Sequence, residues 1–144
     1  MNDYADTSFL LSLYREQRSS HAANALMREL VEPLPLTPLI HLEIRNGLNL
    51  AQFRGDIDAR TREAAWAHVQ QDIRDGILCP VTVASAAVHE KAAELSDRHG
   101  TIVGTRTLDV LHVAAALLLG TRRFFTFDQR QGALAERAGL AVQP

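Results

Sequence analysis

The chain has 144 residues, of which 47% are hydrophobic, and a formal net charge of −2, so it can form the core of one ordinary domain. Its single cysteine excludes an internal disulfide and a cysteine-based zinc cluster. Its slightly negative net charge does not indicate a protein that binds nucleic acid over its whole surface. No apolar stretch approaches the ~20 residues that span a bilayer, and no signal-peptide pattern opens the chain, so we expect one soluble, cytoplasmic domain over residues 1–144.

Short apolar segments alternate with longer helical ones along the chain. Apolar or β-branched residues bounded by proline, glycine or charge predict five strands, at residues 3–5, 34–37, 80–83, 123–127 and 140–142. Helical spacing of apolar residues predicts seven helices, at residues 7–17, 20–31, 38–53, 59–75, 85–99, 108–119 and 129–138. The helix starts are assigned to the capping residues Thr37, Asp56 or Asp58, and Thr107. The helix ends are assigned to Gly100, Gly120 and Gly139.

Alternation of strands and helices favours a parallel sheet covered by helices on both faces. The helix at 108–119 is apolar on nearly all sides, as expected for a segment packed deeply against such a sheet. The sequence therefore predicts an α/β fold, namely a three-layer α/β/α single domain with a parallel, roughly five-stranded sheet.

Four carboxylates lie in apolar surroundings at corresponding places in this pattern. Asp6 and Asp128 close predicted strands, Asp109 lies in the first turn of the apolar helix, and Glu43 lies inside an apolar helical stretch. Ligands of open parallel sheets bind beyond the carboxyl ends of the strands, so we expect the four side chains to converge. Carboxylates that lose solvent need a cation or hydrogen-bond donors. Mg²⁺ or Mn²⁺ prefers such oxygen ligands, and one or two ions support phosphodiester hydrolysis.

Each acid also has a simpler explanation. Asp109 would stabilise the positive end of its helix by ~0.3–1 kcal/mol. Asp6 and Asp128 each precede a helix that they could cap, and Glu43 could face solvent. The joint pattern of the four positions favours the metal site.

Three polar residues near the acids are expected to orient a carboxylate or a water. Ser8 and Thr126 each lie two residues from an acid, and Asn46 lies one helical turn beyond Glu43. A single histidine on an apolar helix is more often a core residue, so His112 is not counted as a ligand.

The chain resembles the PIN-domain nucleases, and most of all the small ribonuclease toxins of VapBC toxin–antitoxin systems. The likeness extends over nearly the whole chain and is carried by residues 6–11, 42–48, 107–116, 126–130, 133–135 and 138–140. The resemblance implies an endoribonuclease that needs Mg²⁺ or Mn²⁺ and whose site uses Asp6, Glu43, Asp109 and Asp128. It further implies that Ser8 and Thr126 support the acids. It also implies an RNA substrate, a homodimer and a cognate antitoxin that covers the cleft.

Two functions of other classes compete with a nuclease. A receiver-like phosphoacceptor domain also binds magnesium with acids at strand ends, but it needs a lysine after its last strand, and the only lysine is Lys91 in mid-helix. A non-catalytic interaction module of the same PIN fold is the stronger alternative, because a fold does not fix a function.

Overall fold

The computed structural model describes residues 1–144 and contains five strands and seven helices. The strands are β1 (Asp3–Ala5), β2 (Leu34–Leu36), β3 (Leu78–Pro80), β4 (Arg123–Phe125) and β5 (Ala141–Gln143). The helices are α1 (Thr7–Tyr14), α2 (Ser20–Met27), α3 (Pro38–Phe53), α4 (Ala59–Arg74), α5 (Ser85–Val103), α6 (Thr107–Leu118) and α7 (Gln129–Arg137). The predicted α/β class is confirmed. None of the helices is long and apolar enough to cross a membrane.

The contacts divide the chain into two compact units. Unit 1 comprises Met1–Asp6 and Thr82–Pro144, and unit 2 comprises Thr7–Val81. Unit 1 holds a three-stranded sheet in the order β1-β4-β5, and unit 2 holds a two-stranded sheet of β2 and β3. Every strand pair is parallel, as predicted, although the five strands form two hydrogen-bonded sheets.

The sheet of unit 1 is built around fully buried aromatic residues. Tyr4 lies opposite Phe124 in the parallel register, and their rings stack with centroids 5.4 Å apart. Beyond the carboxyl ends of the strands, the Asp6 backbone N–H donates to the Phe125 carbonyl at 3.0 Å, and the Thr126 N–H donates to the Gln143 carbonyl at 3.0 Å. These bonds fix Asp6 and Thr126 at the same edge of the sheet.

Helix α6 has the deeply packed character that its composition predicts. Its buried residues include Val110 and the run from Val113 to Ala116. His112 is also buried, and its Nδ1 lies 2.8 Å from the Tyr4 hydroxyl oxygen. His112 is therefore a core residue with a hydrogen-bond partner, as the sequence indicated.

Unit 2 places α3 close to α1. Ile40, Ile44 and Leu48 form the buried face of α3. A Cβ atom added at Gly47 would lie only 2.7 Å from Leu11 Cδ1, so the missing side chain permits the close approach of the two helices. This packing positions the α3 residue Glu43 beside the start of α1.

Proline limits the pairing of β2. Leu34 donates its N–H to the Ile77 carbonyl, and backbone N–H groups alternate in direction along a strand, so the nitrogen of Pro35 faces the opposite edge. Proline has no N–H to offer there, which weakens that edge for pairing with a further strand.

Local interactions decide where the predicted boundaries are right. Thr37 caps α3 by accepting a hydrogen bond from the Ile40 N–H, and Asp58 caps α4 by accepting from the Thr61 N–H. Asp56, the alternative cap, instead pairs with Arg15 at 2.9 Å. Gly120 and Gly139 follow α6 and α7 with positive φ angles of 72° and 91°, as their assigned role requires.

Several predicted boundaries are wrong. Helix α5 runs through Gly100 and is followed by Gly104, whose φ of 68° allows the left-handed turn that ends the helix. Thr107 is the first residue of α6 and not its cap, since the cap position falls on Arg106 without a side-chain bond. Strand β3 lies two residues earlier than predicted because Leu78 pairs with Leu34. Helices α1 and α2 are three to four residues shorter than predicted at their C-terminal ends.

Replacing Tyr14 by phenylalanine is expected to lower the free energy of unfolding by about 2 kcal/mol at pH 7, because the Tyr14 hydroxyl donates to Asp72 Oδ2 at 2.6 Å. Burial, together with this bond, raises the pKa of Tyr14 above its ordinary value. Tyrosine in the unfolded chain ionises at about pH 10, so the stabilisation that Tyr14 gives to the folded state is lost as the pH rises above that value.

Urea unfolding at pH 7 and pH 11 measures both effects. The wild-type protein should lose more stability over this range than Tyr14→Phe. Equal losses in the two proteins would show that Tyr14 does not contribute to the alkaline transition.

Candidate active site

Asp6 is the most deeply buried of the four predicted acids. It follows β1, is 2% exposed, and its Oδ2 accepts a hydrogen bond from the Thr126 hydroxyl at 2.6 Å. A charge-assisted bond of this length between buried groups holds the carboxylate in one orientation. The predicted supporting role of Thr126 is therefore consistent with its position after β4.

Asp128 is exposed and joins the same network. Its backbone N–H donates to Thr126 Oγ1 at 3.0 Å, and its Oδ1 caps α7 by accepting from the Gln131 N–H at 2.9 Å. The simpler explanation of Asp128 as a helix cap therefore applies to one of its oxygens. Its Oδ2 makes no hydrogen bond within the chain, so capping does not prevent Asp128 from meeting a ligand.

Asp109 is half-buried in the first turn of α6. Its main-chain carbonyl accepts a hydrogen bond from Gln131 Nε2 at 3.3 Å. Gln131 Oε1 in turn lies 3.3 Å from the Thr126 hydroxyl. Unit 1 thus links the segments that carry Asp6, Asp109 and Asp128 through the two buried side chains of Thr126 and Gln131.

Glu43 lies in unit 2 and is half-buried. Its Oε2 accepts a hydrogen bond from the Thr7 hydroxyl at 2.6 Å, so it does not simply face solvent. Thr7 is the first residue of α1 and directly follows Asp6 in the chain. A hydroxyl therefore orients Glu43 in unit 2, as another orients Asp6 in unit 1.

The other two predicted supporting residues differ in their surroundings. Ser8 is half-buried in α1, and its main-chain carbonyl accepts from the Ser12 hydroxyl at 3.1 Å. Asn46 is exposed and makes no hydrogen bond within the chain. Within unit 2 Glu43 therefore has a hydrogen-bond partner in Thr7, whereas Asn46 forms no hydrogen bond to it.

Gln131 and Thr7 were not identified from the sequence. The spacing Asp128-x-x-Gln131 matches a capping box, in which the glutamine side chain would accept a hydrogen bond from the backbone N–H of the capping residue Asp128. The structure uses the Gln131 side chain for Thr126 and Asp109 instead. The sequence signal was therefore present but predicts a different partner.

The donor set fits a hard divalent cation in its chemistry. The four acids offer carboxylate oxygens, which Mg²⁺ and Mn²⁺ prefer, whereas His112 is occupied by Tyr4. No group of three or more histidine, cysteine, aspartate or glutamate side chains is arranged to hold an ion.

Comparison with known families gives a match that covers most of the chain. The family model described as PIN domain matches residues 4–137. No curated protein shows significant similarity to the chain.

Solved structures of similar fold include three bacterial proteins. A sarcin-ricin loop cleaving toxin, VapC20 of Mycobacterium tuberculosis, has 20% identity and a TM-score of 0.70, with 99% of each chain covered. FitAcB of Neisseria gonorrhoeae has 17% identity and a TM-score of 0.65, with 99% of this chain and 96% of that chain covered. VapBC2 of Rickettsia felis, bound to a DNA fragment from its promoter, has 11% identity and a TM-score of 0.70, with 99% and 98% covered. At these identities the likenesses show a shared fold.

Proposed function

Because this chain belongs to the PIN domain family, we propose that it is a metal-dependent endoribonuclease and the toxin of a type II toxin–antitoxin pair. The observation that carries the proposal is the buried carboxylate of Asp6, held at 2.6 Å by Thr126 within a network that extends to Asp109 and Asp128. Burying a carboxylate that is only 2% exposed costs free energy unless a cation or hydrogen-bond donors compensate the charge. The similar fold of a toxin described as cleaving the sarcin-ricin loop supports RNA as the substrate class.

The proposed site consists of Asp6, Glu43, Asp109 and Asp128, within one nuclease domain over residues 1–144. These four carboxylates would hold Mg²⁺ or Mn²⁺, with Asp128 either completing that set or orienting water. When bound, the ion supplies positive charge to the phosphate and makes an attacking water more acidic.

Side chains of the protein orient the carboxylates of the proposed site. The Thr126 hydroxyl orients the Asp6 carboxylate, and the Thr7 hydroxyl orients that of Glu43. Each carboxylate is therefore already oriented before an ion binds. Binding the ion then costs less rotational entropy of these side chains, which is the benefit of a preorganised site. Ser8 and Asn46 would support the same acids through water.

The fold comparisons also support a protein partner. VapBC2 bears the name of the VapBC toxin–antitoxin systems that the sequence resembles, and this supports a cognate antitoxin for the present chain. We further propose a homodimer that acts in the cytoplasm.

The non-catalytic interaction module is the second candidate, because a fold does not by itself fix a function. The receiver-like alternative has less support, since the only lysine, Lys91, lies in α5 and pairs with Glu94 at 2.6 Å.

The test is cleavage of a mixed cellular RNA pool by the purified, antitoxin-free protein with magnesium, with manganese and with a chelator. Cleavage is expected with either metal and not with the chelator. Cleavage that persists in the chelator would exclude the metal-dependent mechanism, and a well-folded protein that cleaves nothing under any condition would favour the interaction module.

Magnesium is also expected to stabilise the folded protein, because the proposed site would bind the ion only in the folded state. At 100 times its dissociation constant, a ligand adds about 2.7 kcal/mol to the free energy of unfolding. For a domain of this size this corresponds to a melting temperature higher by roughly 5–10 °C. Thermal melting with magnesium and with equal ionic strength of sodium chloride measures the effect, and identical curves would argue against a grouped acidic site.

A further inference from the structure

Gln131 forms hydrogen bonds to three segments of the acidic network. It is 1% exposed in the first turn of α7. Its side-chain nitrogen reaches the Asp109 carbonyl, its side-chain oxygen reaches the Thr126 hydroxyl, and its backbone N–H donates to Asp128 Oδ1. A single residue therefore touches the start of α6, the end of β4 and the cap of α7.

The orientation of the Gln131 amide is fixed by its partners. The Asp109 main-chain carbonyl can only accept a hydrogen bond, so the Nε2 group must face it. The Oε1 atom must then face Thr126, where it can only accept. A rotated amide would place two oxygens against each other at 3.3 Å and leave a buried N–H group without a carbonyl partner.

The Thr126 hydroxyl has one hydrogen, and the acceptors within its reach include Asp6 Oδ2 and Gln131 Oε1. Asp6 Oδ2 lies 2.6 Å away and Gln131 Oε1 lies 3.3 Å away, so the hydroxyl donates mainly to the charged and closer oxygen. The Asp128 N–H donates to the same hydroxyl from a third direction, which restricts its rotation. Gln131 is an acceptor to which Thr126 can turn if Asp6 Oδ2 takes another partner.

We propose that Gln131 is a positioning residue of the acidic site, which fixes the start of α6 and provides a second acceptor for the hydroxyl that holds Asp6. The inference rests on the proposed function. If a cation were held at Asp6 and weakened the Thr126 hydrogen bond, the hydroxyl would keep an acceptor in Gln131 Oε1. Gln131 therefore acts through Thr126 and Asp109, and does not itself touch the substrate.

Replacing Gln131 by methionine tests the role, since methionine has a similar length and volume but neither hydrogen-bonding group. The metal concentration that gives half-maximal thermal stabilisation, measured with Mn²⁺ and with Mg²⁺, is expected to rise about 10- to 100-fold. A purely structural role would lower the melting temperature at zero metal and leave this half-saturation concentration unchanged. Gln70→Met, which removes a half-buried amide from α4, is the matched control and should behave like the wild type.

A double-mutant cycle shows whether Gln131 acts through Thr126. Thr126→Val removes the hydroxyl with little change of shape, and the metal half-saturation of Thr126→Val, Gln131→Met and the double variant is compared. We expect the double variant to lose less than the product of the two single losses, because the residues share one hydrogen-bond chain. A loss in the double variant equal to the product of the two single losses would show that Gln131 does not act through Thr126.

A measurement on the wild-type chain guards against variants that do not fold. The side-chain amide signals of Gln131 in a ¹H–¹⁵N spectrum should shift when Mg²⁺ is added, whereas those of Gln70 should not. If the wild-type protein binds metal and cleaves RNA but neither the Gln131 signal nor the Gln131→Met half-saturation changes, this inference is wrong and the proposed function stands. If the wild type neither binds metal nor cleaves, the proposed function fails.

Discussion

Replacing Asp109 by asparagine is expected to abolish RNA cleavage while leaving the fold intact. Asparagine has the same shape and can still hydrogen-bond, but it lacks the negative charge that Mg²⁺ and Mn²⁺ prefer in a ligand. If the variant loses several kcal/mol of the charge stabilisation that the metal gives to the transition state, the rate of RNA cleavage falls by at least about 100-fold. The change should cost the fold little, because an acid in the first turn of a helix contributes only ~0.3–1 kcal/mol through the helix dipole.

The comparison is made with the rate of RNA cleavage in magnesium and with the far-ultraviolet circular dichroism spectrum. Asp97→Asn is the matched control, since Asp97 is an exposed carboxylate on α5 in the same unit and makes no hydrogen bond within the chain. Wild-type cleavage by a metal-loaded Asp109→Asn protein would remove Asp109 from the site.

Replacing Arg123 by methionine is expected to cause a large loss of stability. Asp3 and Arg123 are opposite each other on β1 and β4, and the guanidinium donates to both carboxylate oxygens at 2.6 and 2.7 Å. Asp3 is 3% exposed, so the variant would leave a charge buried without its partner. We expect a loss of about 3 kcal/mol, at the lower end for buried pairs because a third of Arg123 is exposed to solvent.

Urea unfolding of Arg123→Met, Asp3→Asn and the double variant measures the pair. The double variant should regain part of the stability, because it no longer buries an unpaired charge. Arg122→Met is the control, since the neighbouring Arg122 side chain is exposed and forms no ion pair. A loss for Arg123→Met no larger than that for Arg122→Met would show that the pair contributes little.

The sequence predicts best those features that depend on neighbouring residues. Thr37 and Asp58 each bond to an N–H three residues along the chain, and both caps are confirmed. The end of α5 was wrong because Gly100 and Gly104 are both suitable stops, and only the backbone shows which of them adopts positive φ. The strand order could not be derived from local patterns, since β1 pairs with a strand about 120 residues away in sequence.

In the candidate site, too, the sequence predicts features that depend on neighbouring residues better than features that depend on residues distant in sequence. The four acids could be selected from the apolar character of their surroundings, and the grouping of all four remains a proposal. Thr126 could be chosen because it lies two residues before Asp128, but its bond to Asp6 spans 120 positions. Gln131 could not be chosen, because its spacing from Asp128 suggested a bond within its own helix.

The pairing of the first six residues with the last third of the chain has a consequence for biosynthesis. A ribosome makes β1 and Asp6 about 120 residues before the segment that carries β4, Thr126 and Gln131. Until that segment is made, the Asp6 carboxylate lacks its hydroxyl partner, and unit 1 lacks its central strand. If the chain is the nuclease that we propose, a nascent or prematurely released chain that lacks this segment is expected to be inactive, and only chains that contain it would need the proposed antitoxin.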